Sequence, residues 1–271
     1  MLSQYRLHTS DDERLIMPFL ASDNSAQTSA YSQASALVAG MPHEAPKLLE
    51  IGPGDGTSRA KFQRVRPNCR WVGVDLPDSP EVRLAPRRSN CVSYDGVLLP
   101  FPQGAFDLAF TRQVFEHVEF PSELILEICR VLRPGGALVG STSHIEPYHS
   151  RSLQNFTPLG FALMLQRSGF ENITLRPGID GFSLMIRRPL GRMGLRFLDS
   201  YFESEAPLNR LAEIGGRVMG LNVKRRNALK LLYSGHFVFE ATKVDPTGAT
   251  EGKDRRKPSV PHVSRSSTEA Q

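Results

Sequence analysis

Residues 47–65 constrain this chain more tightly than any other segment. Lys47-Leu48-Leu49-Glu50-Ile51 reads as a short buried strand, and it runs straight into Gly52-Pro53-Gly54-Asp55-Gly56. Asp55–Val65 then reads as a helix. Glycines allow positive φ and let a ligand approach the backbone closely. The helix N-terminus offers unpaired N–H groups to an anion. A strand–turn–helix of this kind places its turn at the carboxyl end of a strand, where open α/β sheets bind ligands. The segment therefore predicts an α/β sheet with a ligand on that turn.

The rest of the chain keeps the rhythm. Arg70–Asp75, Cys91–Tyr94, Phe106–Thr111 and Ala137–Thr142 read as further strands, and Gly235–Thr242 as the last. Phe170–Leu175 and Phe182–Ile186 are also strand-like. Leu124, Ile125, Ile128, Val131 and Leu132 recur at helical spacing, so Ser122–Leu132 reads as a helix that Pro134-Gly135-Gly136 ends in a turn. Pro158–Ser168 reads as another, stopped by Gly169. Strands alternating with helices imply parallel βαβ units covered on both faces. Ahead of them, Asp11–Ala21 reads as a short helix broken or kinked by Pro18, and Ser29–Ala39 as a second, stopped by Gly40.

The identity of the ligand is constrained by spacing. The dinucleotide fingerprint is GxGxxG, whereas this turn is Gly52-x-Gly54-x-Gly56; no GK[ST] comes after it, which excludes a P-loop. Glu50 stands two residues before the first glycine, Asp75 ends the second strand, and Asp95 comes after the third. Asp75 occupies the place of a ribose-diol acceptor. So many carboxylates would repel a pyrophosphate and suit a cationic cofactor carrying ribose and adenine.

Taken together, Glu50-x-Gly52-x-Gly54-x-Gly56, Val74-Asp75, Asp95 before Leu99-Pro100-Phe101, Phe106-Asp107, Val114-Phe115-Glu116-His117-Val118 and Val131-Leu132-Arg133-Pro134-Gly135-Gly136 resemble class I S-adenosylmethionine-dependent methyltransferases. Asn155-Phe156-Thr157-Pro158 and Ser168-Gly169-Phe170 are similar to the small-molecule, methyltransferase type 11-like branch, which includes the quinone-biosynthesis enzymes. The resemblance covers residues 47 to about 176. It implies a Rossmann-like, seven-stranded, mostly parallel sheet with helices on both faces and a helical insertion before the last strand.

The resemblance also implies roles. Gly52, Gly54 and Gly56 would line the methionine part of S-adenosylmethionine, and Glu50 would sit near its amino group or a bound water. Asp75 would accept both ribose hydroxyls. Asp95 would take the adenine amino group, with Gly96 close to the ring. Thr111 and Gln113 would approach the methionine end. Pro53 departs from the pattern by removing one N–H donor from the turn.

Methyl transfer to a hydroxyl requires alignment, exclusion of water and removal of a proton. Candidate bases lie after the fourth and fifth strands: His117, His144 and His149, with Glu146 and Tyr148 between the last two. Imidazole titrates near physiological pH and suits proton removal from an alcohol or phenol. The spacing from His144 to His149 fits no standard metal-ligand pattern, and no metal is expected. Cys69, Cys91 and Cys129 form no CxxC pair and are read as packing residues. Asp107 reads as a turn or cap residue.

The chain carries a formal net charge of +5, but unevenly. Residues 1–186 hold 17 Lys and Arg against 19 Asp and Glu; residues 187–242 hold 10 against 5. The catalytic half is slightly acidic, and the positive charge belongs to the C-terminal third. The expected organisation is a helical lead-in (1–46), a cofactor-binding core (47–186), a basic helical insertion (187–233), the last strand (234–244) and a disordered tail (245–271). Three readings of the insertion stay open: a lid over the acceptor, a surface for an anionic membrane or a lipid-linked or phosphorylated acceptor, and a solvated cap or oligomer face. Nucleic acid is disfavoured because no RNA-binding module accompanies the charge.

No signal peptide or membrane span is legible, so a cytoplasmic enzyme is expected. Its acceptor would be a small molecule methylated on oxygen, either a saccharide or glycolipid intermediate or an aromatic, polyketide-like metabolite, with the basic insertion favouring the polar or anionic class. C- or N-methylation of a lipid or metabolite, a non-catalytic S-adenosylmethionine-binding scaffold and a nucleotide-dependent oxidoreductase are the alternatives; the glycine spacing disfavours the last.

Overall fold

The computed structural model describes residues 11–78, 90–146, 149, 151–192 and 205–246. Tyr148, the insertion residues 193–204 and the tail from 247 onward lie outside them.

Seven strands form one sheet: β1 (Lys47–Ile51), β2 (Arg70–Asp75), β3 (Cys91–Ser93), β4 (Phe106–Arg112), β5 (Leu132–Ser143), β6 (Phe170–Pro177) and β7 (His236–Lys243). Their order is β3-β2-β1-β4-β5-β7-β6. Only β7 runs antiparallel, to β5 on one side and β6 on the other. This is the expected mostly parallel sheet. The order reverses between β1 and β4, which makes their carboxyl ends the ligand-binding crevice of such a sheet.

Period-two alternation gives the sheet two covered faces. Leu48 of β1 packs with Ala30, Ala34 and Val38 of α2 (Ala30–Gly40) and Phe62 of α3 (Ser58–Val65). Leu49 and Ile51 point the other way, into a cluster with Leu124, Ile125, Ile128 and Val131 of α4 (Pro121–Val131) and Phe161 and Leu165 of α5 (Pro158–Arg167). The predicted helical stripe of α4 is thus its buried face. α1 (Asp11–Ile16) precedes a short 3-10 turn at Met17–Phe19 that contains Pro18.

Three expectations need correction. Phe182–Ile186 is not a strand but part of α6 (Gly181–Arg192). Asp180 starts that helix by accepting from the Ser183 amide at 2.7 Å and the Ser183 hydroxyl at 3.0 Å. A short apolar run is ambiguous between strand and buried helix, and the capping aspartate decides it. The core boundary drawn at residue 186 consequently falls inside a helix. Second, Pro134-Gly135-Gly136 does not separate α4 from β5. The strand begins at Leu132, and 133–136 bulge between the pairs Phe106–Leu132 and Leu108–Ala137. Third, α3 begins at Ser58 rather than Asp55, because Asp55 Oδ1 accepts from the Thr57 amide at 3.0 Å and holds 55–57 in a turn. Asp107 is a strand residue whose carboxylate accepts from the Lys47 amide at 2.7 Å and pairs with Arg133 at 2.5 Å.

The insertion contributes α7 (Pro207–Val218) and α8 (Val223–Leu232), which pack on each other and on the lead-in. Leu231 of α8 joins the main core with Ala228 beside it, and several further inner contacts are polar. Lys230 is fully buried, and its ammonium donates to Ser25 O at 2.6 Å and Glu205 Oε1 at 2.9 Å and pairs with Glu213 Oε2 at 3.1 Å. Asn227 Nδ2 donates to Ala21 O and Asn24 O, and Asn209 Nδ2 to Gln27 Oε1 and Gly178 O. No helix among the described residues is long and apolar enough to cross a membrane.

Burial raises the Glu213 pKa, but hydrogen bonds from Arg217, Lys230 and Ser25 outweigh it and bring the group to about 2, from 4.5. A depressed folded-state pKa stabilises above the unfolded value and loses that stability as pH falls through the folded one. Thermal melts should therefore show stability falling from pH 4.5 toward about 2, with a shallower slope in Glu213→Gln. Equal slopes would remove Glu213 from the acid response.

Candidate active site

The glycine turn closes over β1. Gly52, Gly54 and Gly56 all hold positive φ, at 65°, 55° and 67°. Gly52 donates its amide to Val74 O at 2.9 Å, and Gly56 to Pro53 O at 2.9 Å. A Cβ on Gly52 would stand 2.5 Å from Val114 Cγ2, so the turn can touch the loop after β4 only because Gly52 has no side chain. Pro53 fills the room left by Gly73, where a Cβ would meet the Pro53 ring at 2.8 Å. The proline that removed a donor therefore pins the turn to β2.

Glu50 is buried, and its carboxylate accepts from the Ser58 hydroxyl at the start of α3 and from Trp71 Nε1 at 2.7 Å. Burial raises its pKa, opposed by those two donors. Glu50 ties the strand, the helix start and β2 together beneath the turn. Asp75 stands at the end of β2, where Oδ2 accepts from the Gly54 amide at 3.3 Å and Oδ1 from the Leu76 amide at 2.8 Å. Asp95 is exposed, with Oδ1 accepting from the Val97 and Leu98 amides, and those bonds lower its pKa. Gly96, at φ 99°, would place a Cβ 3.4 Å from Leu76 Cδ2, so Leu76 lies over this turn.

The ends of β4 and β5 carry a buried polar cluster. Thr111 is fully buried, and its hydroxyl has no hydrogen-bond partner among the described residues. Gln113 takes a left-handed conformation at φ 55°. With its amide nitrogen facing the carboxylates, it donates to Glu116 Oε1 at 2.8 Å and Glu146 Oε2 at 3.0 Å. The Ser143 hydroxyl lies 2.6 Å from Glu146 Oε2 and 3.2 Å from Glu116 Oε1. Thr142 Oγ1 donates to Glu116 Oε2 at 3.0 Å. His149 sits between the two carboxylates, Nε2 at 3.9 Å from Glu116 and Nδ1 at 3.8 Å from Glu146. The His117 ring meets the His149 ring edge to face at 5.4 Å, and His117 Nδ1 is buried without a partner among the described residues.

The three candidate bases therefore divide. His117 and His149 come together; His144 is held apart. His144 Nδ1 lies 2.9 Å from Phe156 O, its ring meets Phe237, and burial lowers its pKa against that backbone bond. Glu116, Glu146 and Ser143 were missed as site residues. Their only sequence signal is that two carboxylates and a hydroxyl sit next to the candidate histidines in the post-strand loops. Glu116, His117 and His149 each offer one metal-competent atom, all within 4.8 Å of one another. That grouping joins two loops, which is why no spacing pattern revealed it. Chemically the cluster can orient an imidazole, hold a proton or accept a cation.

The sheet order, the glycine turn at the β1–β4 reversal and the acidic strand ends define a cofactor-binding domain of the class I type. Residues 49–140 match the family model of the methyltransferase domain. An uncharacterised methyltransferase of Mycobacterium sp. (strain KMS) is 32% identical over 162 residues, covering 58% of this chain and 62% of the relative. One from Mycolicibacterium paratuberculosis (strain ATCC BAA-968 / K-10) is 31% identical over 175 residues, covering 62% and 65%. The chain spans less than two thirds of the length of these relatives. Among solved structures, the [4+2]-cyclase SpnF superposes with a TM-score of 0.52 at 19% identity, covering 87% of this chain and 94% of that one. An S-adenosylmethionine-dependent methyltransferase from Thermotoga maritima gives 0.50 at 16%, covering 86% and 95%. These likenesses carry the fold. Over residues 49–140 the chain is thus similar to the methyltransferase domain family, and its fold is that of class I S-adenosylmethionine-dependent methyltransferases.

Gly52→Ala should destabilise the fold by about 1–2 kcal/mol from its left-handed backbone alone, with a further loss from the Val114 contact. Denaturant midpoints measure it, and adding Val114→Ala should restore the contact part. An unchanged midpoint for the single variant would show that the turn relaxes freely.

Proposed function

We propose that this chain binds S-adenosylmethionine along the β1–β4 crevice and directs O-methylation of a polar or anionic small molecule. The observation that carries the reading is one continuous edge: the left-handed glycine turn, the Asp75 carboxylate at its rim and the Gln113–Glu116–Glu146–His149 cluster beside it. The residues present fit this cofactor. The rim is acidic, as a sulfonium requires, and Asp75 offers paired acceptors suited to a diol. The Thr111 hydroxyl, unpartnered among the described residues, is a buried polar atom at the methionine end.

When bound, the cofactor supplies a methyl group on sulfur that an in-line nucleophile can take. The chain aligns the acceptor and removes its proton. His149 is the base in this reading, because it lies between the carboxylates of Glu116 and Glu146, which orient its ring. Gln113 and Ser143 hold those carboxylates in place. His144 serves the loop structure instead, with its Nδ1 committed to Phe156 O. The reading is supported by this geometry and by the family; the acceptor class rests on the basic insertion.

Calorimetry should show S-adenosylmethionine binding, weakened by roughly 1–3 kcal/mol in Asp75→Ala through loss of hydrogen bonds to a charged group. No binding to the wild type would end the proposal, and unchanged affinity in the variant would free Asp75 of the ribose.

A labelled-methyl screen against metabolite extracts should yield a product. Its formation should fall roughly 10²–10⁴-fold in His149→Ala, the usual contribution of a general base, with cofactor affinity retained. A larger loss in His144→Ala than in His149→Ala would reverse the assignment. Turnover should also survive a chelator; loss restored by a divalent cation would give Glu116, His117 and His149 to a metal instead.

A further inference from the structure

The loops after β4 and β5 bring metal-competent side chains together. Among the described residues, Glu116, His117 and His149 are grouped so that one carboxylate oxygen and two ring nitrogens all lie within 4.8 Å of one another. This is not an exposed acidic cluster: the His149 and Glu116 side chains are 10% and 0% exposed. Two hydrogen bonds bolt the loops to each other, from the Leu153 amide to Glu116 O at 2.7 Å and from Gln154 Nε2 to Val118 O at 2.8 Å. The Glu116 carboxylate is oriented in turn, accepting from Thr142 Oγ1 at 3.0 Å and from the Ser143 hydroxyl at 3.2 Å.

The two imidazoles are disposed as ligands would be. His149 presents Nε2 toward Glu116 at 3.9 Å and Nδ1 toward Glu146 at 3.8 Å. A metal-bound histidine characteristically turns its second ring nitrogen to a carboxylate, which fixes the ring. His117 Nδ1 is buried with no hydrogen-bond partner among the described residues. A buried polar atom left unsatisfied is costly, and an ion in the group would engage the same ring. The donor set also selects the ion. Two nitrogens and one oxygen suit zinc, which binds such ligands at about 2.0–2.2 Å and leaves a fourth position to water. Magnesium and calcium take oxygen ligands and would find one carboxylate here. Zinc bonds of that length set neighbouring donors roughly 3.3–3.5 Å apart, so the group closes by about 1–1.5 Å through side-chain rotation.

We propose that Glu116, His117 and His149 form an inhibitory zinc site. The inhibition rests on the reading of His149 as the base. A neutral imidazole has one lone pair on its acceptor nitrogen. It serves the ion or the acceptor's proton, not both. Zinc would therefore switch methyl transfer off, and a chelated chain would keep its turnover.

Calorimetric titration of the metal-stripped full chain with zinc chloride tests the site without any acceptor. Zinc should bind, magnesium should not compete, and the melting temperature should rise with zinc, because a ligand of the folded state stabilises it. His117→Ala and His117→Gln should each weaken zinc binding at least about tenfold, since loss of even an outer-shell partner costs roughly 10–100-fold. The glutamine variant keeps the loop filled and guards against misfolding. In the labelled-methyl assay, zinc at saturating concentration should suppress product formation and a chelator should restore it. In His117→Gln, inhibition measured against the variant's own metal-free rate should need at least about tenfold more zinc. A chain that takes up no zinc, or binds it equally well in both variants, would overturn the site and leave the methyl-transfer reading untouched. Zinc that binds through these residues without slowing product formation would overturn the inhibition and take the base's role from His149. Absence of product with and without zinc would end the methyl-transfer reading and the inhibition with it, while the calorimetry reads the site directly.

Discussion

Two loops can work on one ligand only if the strands that feed them are neighbours, and the pairing of β1 with β4 is the constraint from which the site descends. Ile51 sits opposite Thr111 in that pairing, so the glycine turn and the loop beginning at Gln113 leave the sheet side by side. Their contact is then a matter of size: Gly52 meets Val114 at a distance no side chain would permit. Gln113, one residue away, can consequently reach the carboxylates of Glu116 and Glu146 while its backbone bonds to β5 through Ser141 O.

The sequence disclosed local features well and distant ones poorly, for physical reasons. The β1 turn, the α4 stripe and the end of β2 at Asp75 are set by residues within one short window, where periodicity and glycine placement leave little choice. The α6 helix was misread because its apolar run is too short to show a period, and the capping role of Asp180 emerges only once the helix exists. The pairing of His149 with Glu116 joins loops more than 30 residues apart in sequence, and no spacing rule spans that gap. The separation of His144 from the other two histidines is likewise a matter of how the loop after β5 folds back to Phe156.

The charge of the insertion changes meaning in the structure. A count of lysines and arginines treats them as one solvated face. Lys230 is instead sealed inside, and Arg226 turns inward to Glu213 and to Leu221 O. Part of the positive charge is therefore mortar, holding α7 and α8 against the lead-in, and among the described residues Arg210, Arg217 and Arg225 are exposed.

That mortar has a further effect on how the chain comes together. Ser25 and Lys230, Asn24 and Asn227, Gln27 and Asn209 are partners separated by 205, 203 and 182 residues. Contacts of such sequence separation form late, because the intervening chain must first be brought into place. During synthesis the lead-in waits, with Ala21 and Asn24 carbonyls and the Ser25 carbonyl still hydrated, until residues 209–230 have emerged. The lead-in and the insertion thus complete each other, and a nascent chain stopped before the insertion would have an assembled sheet centre and an unfinished edge.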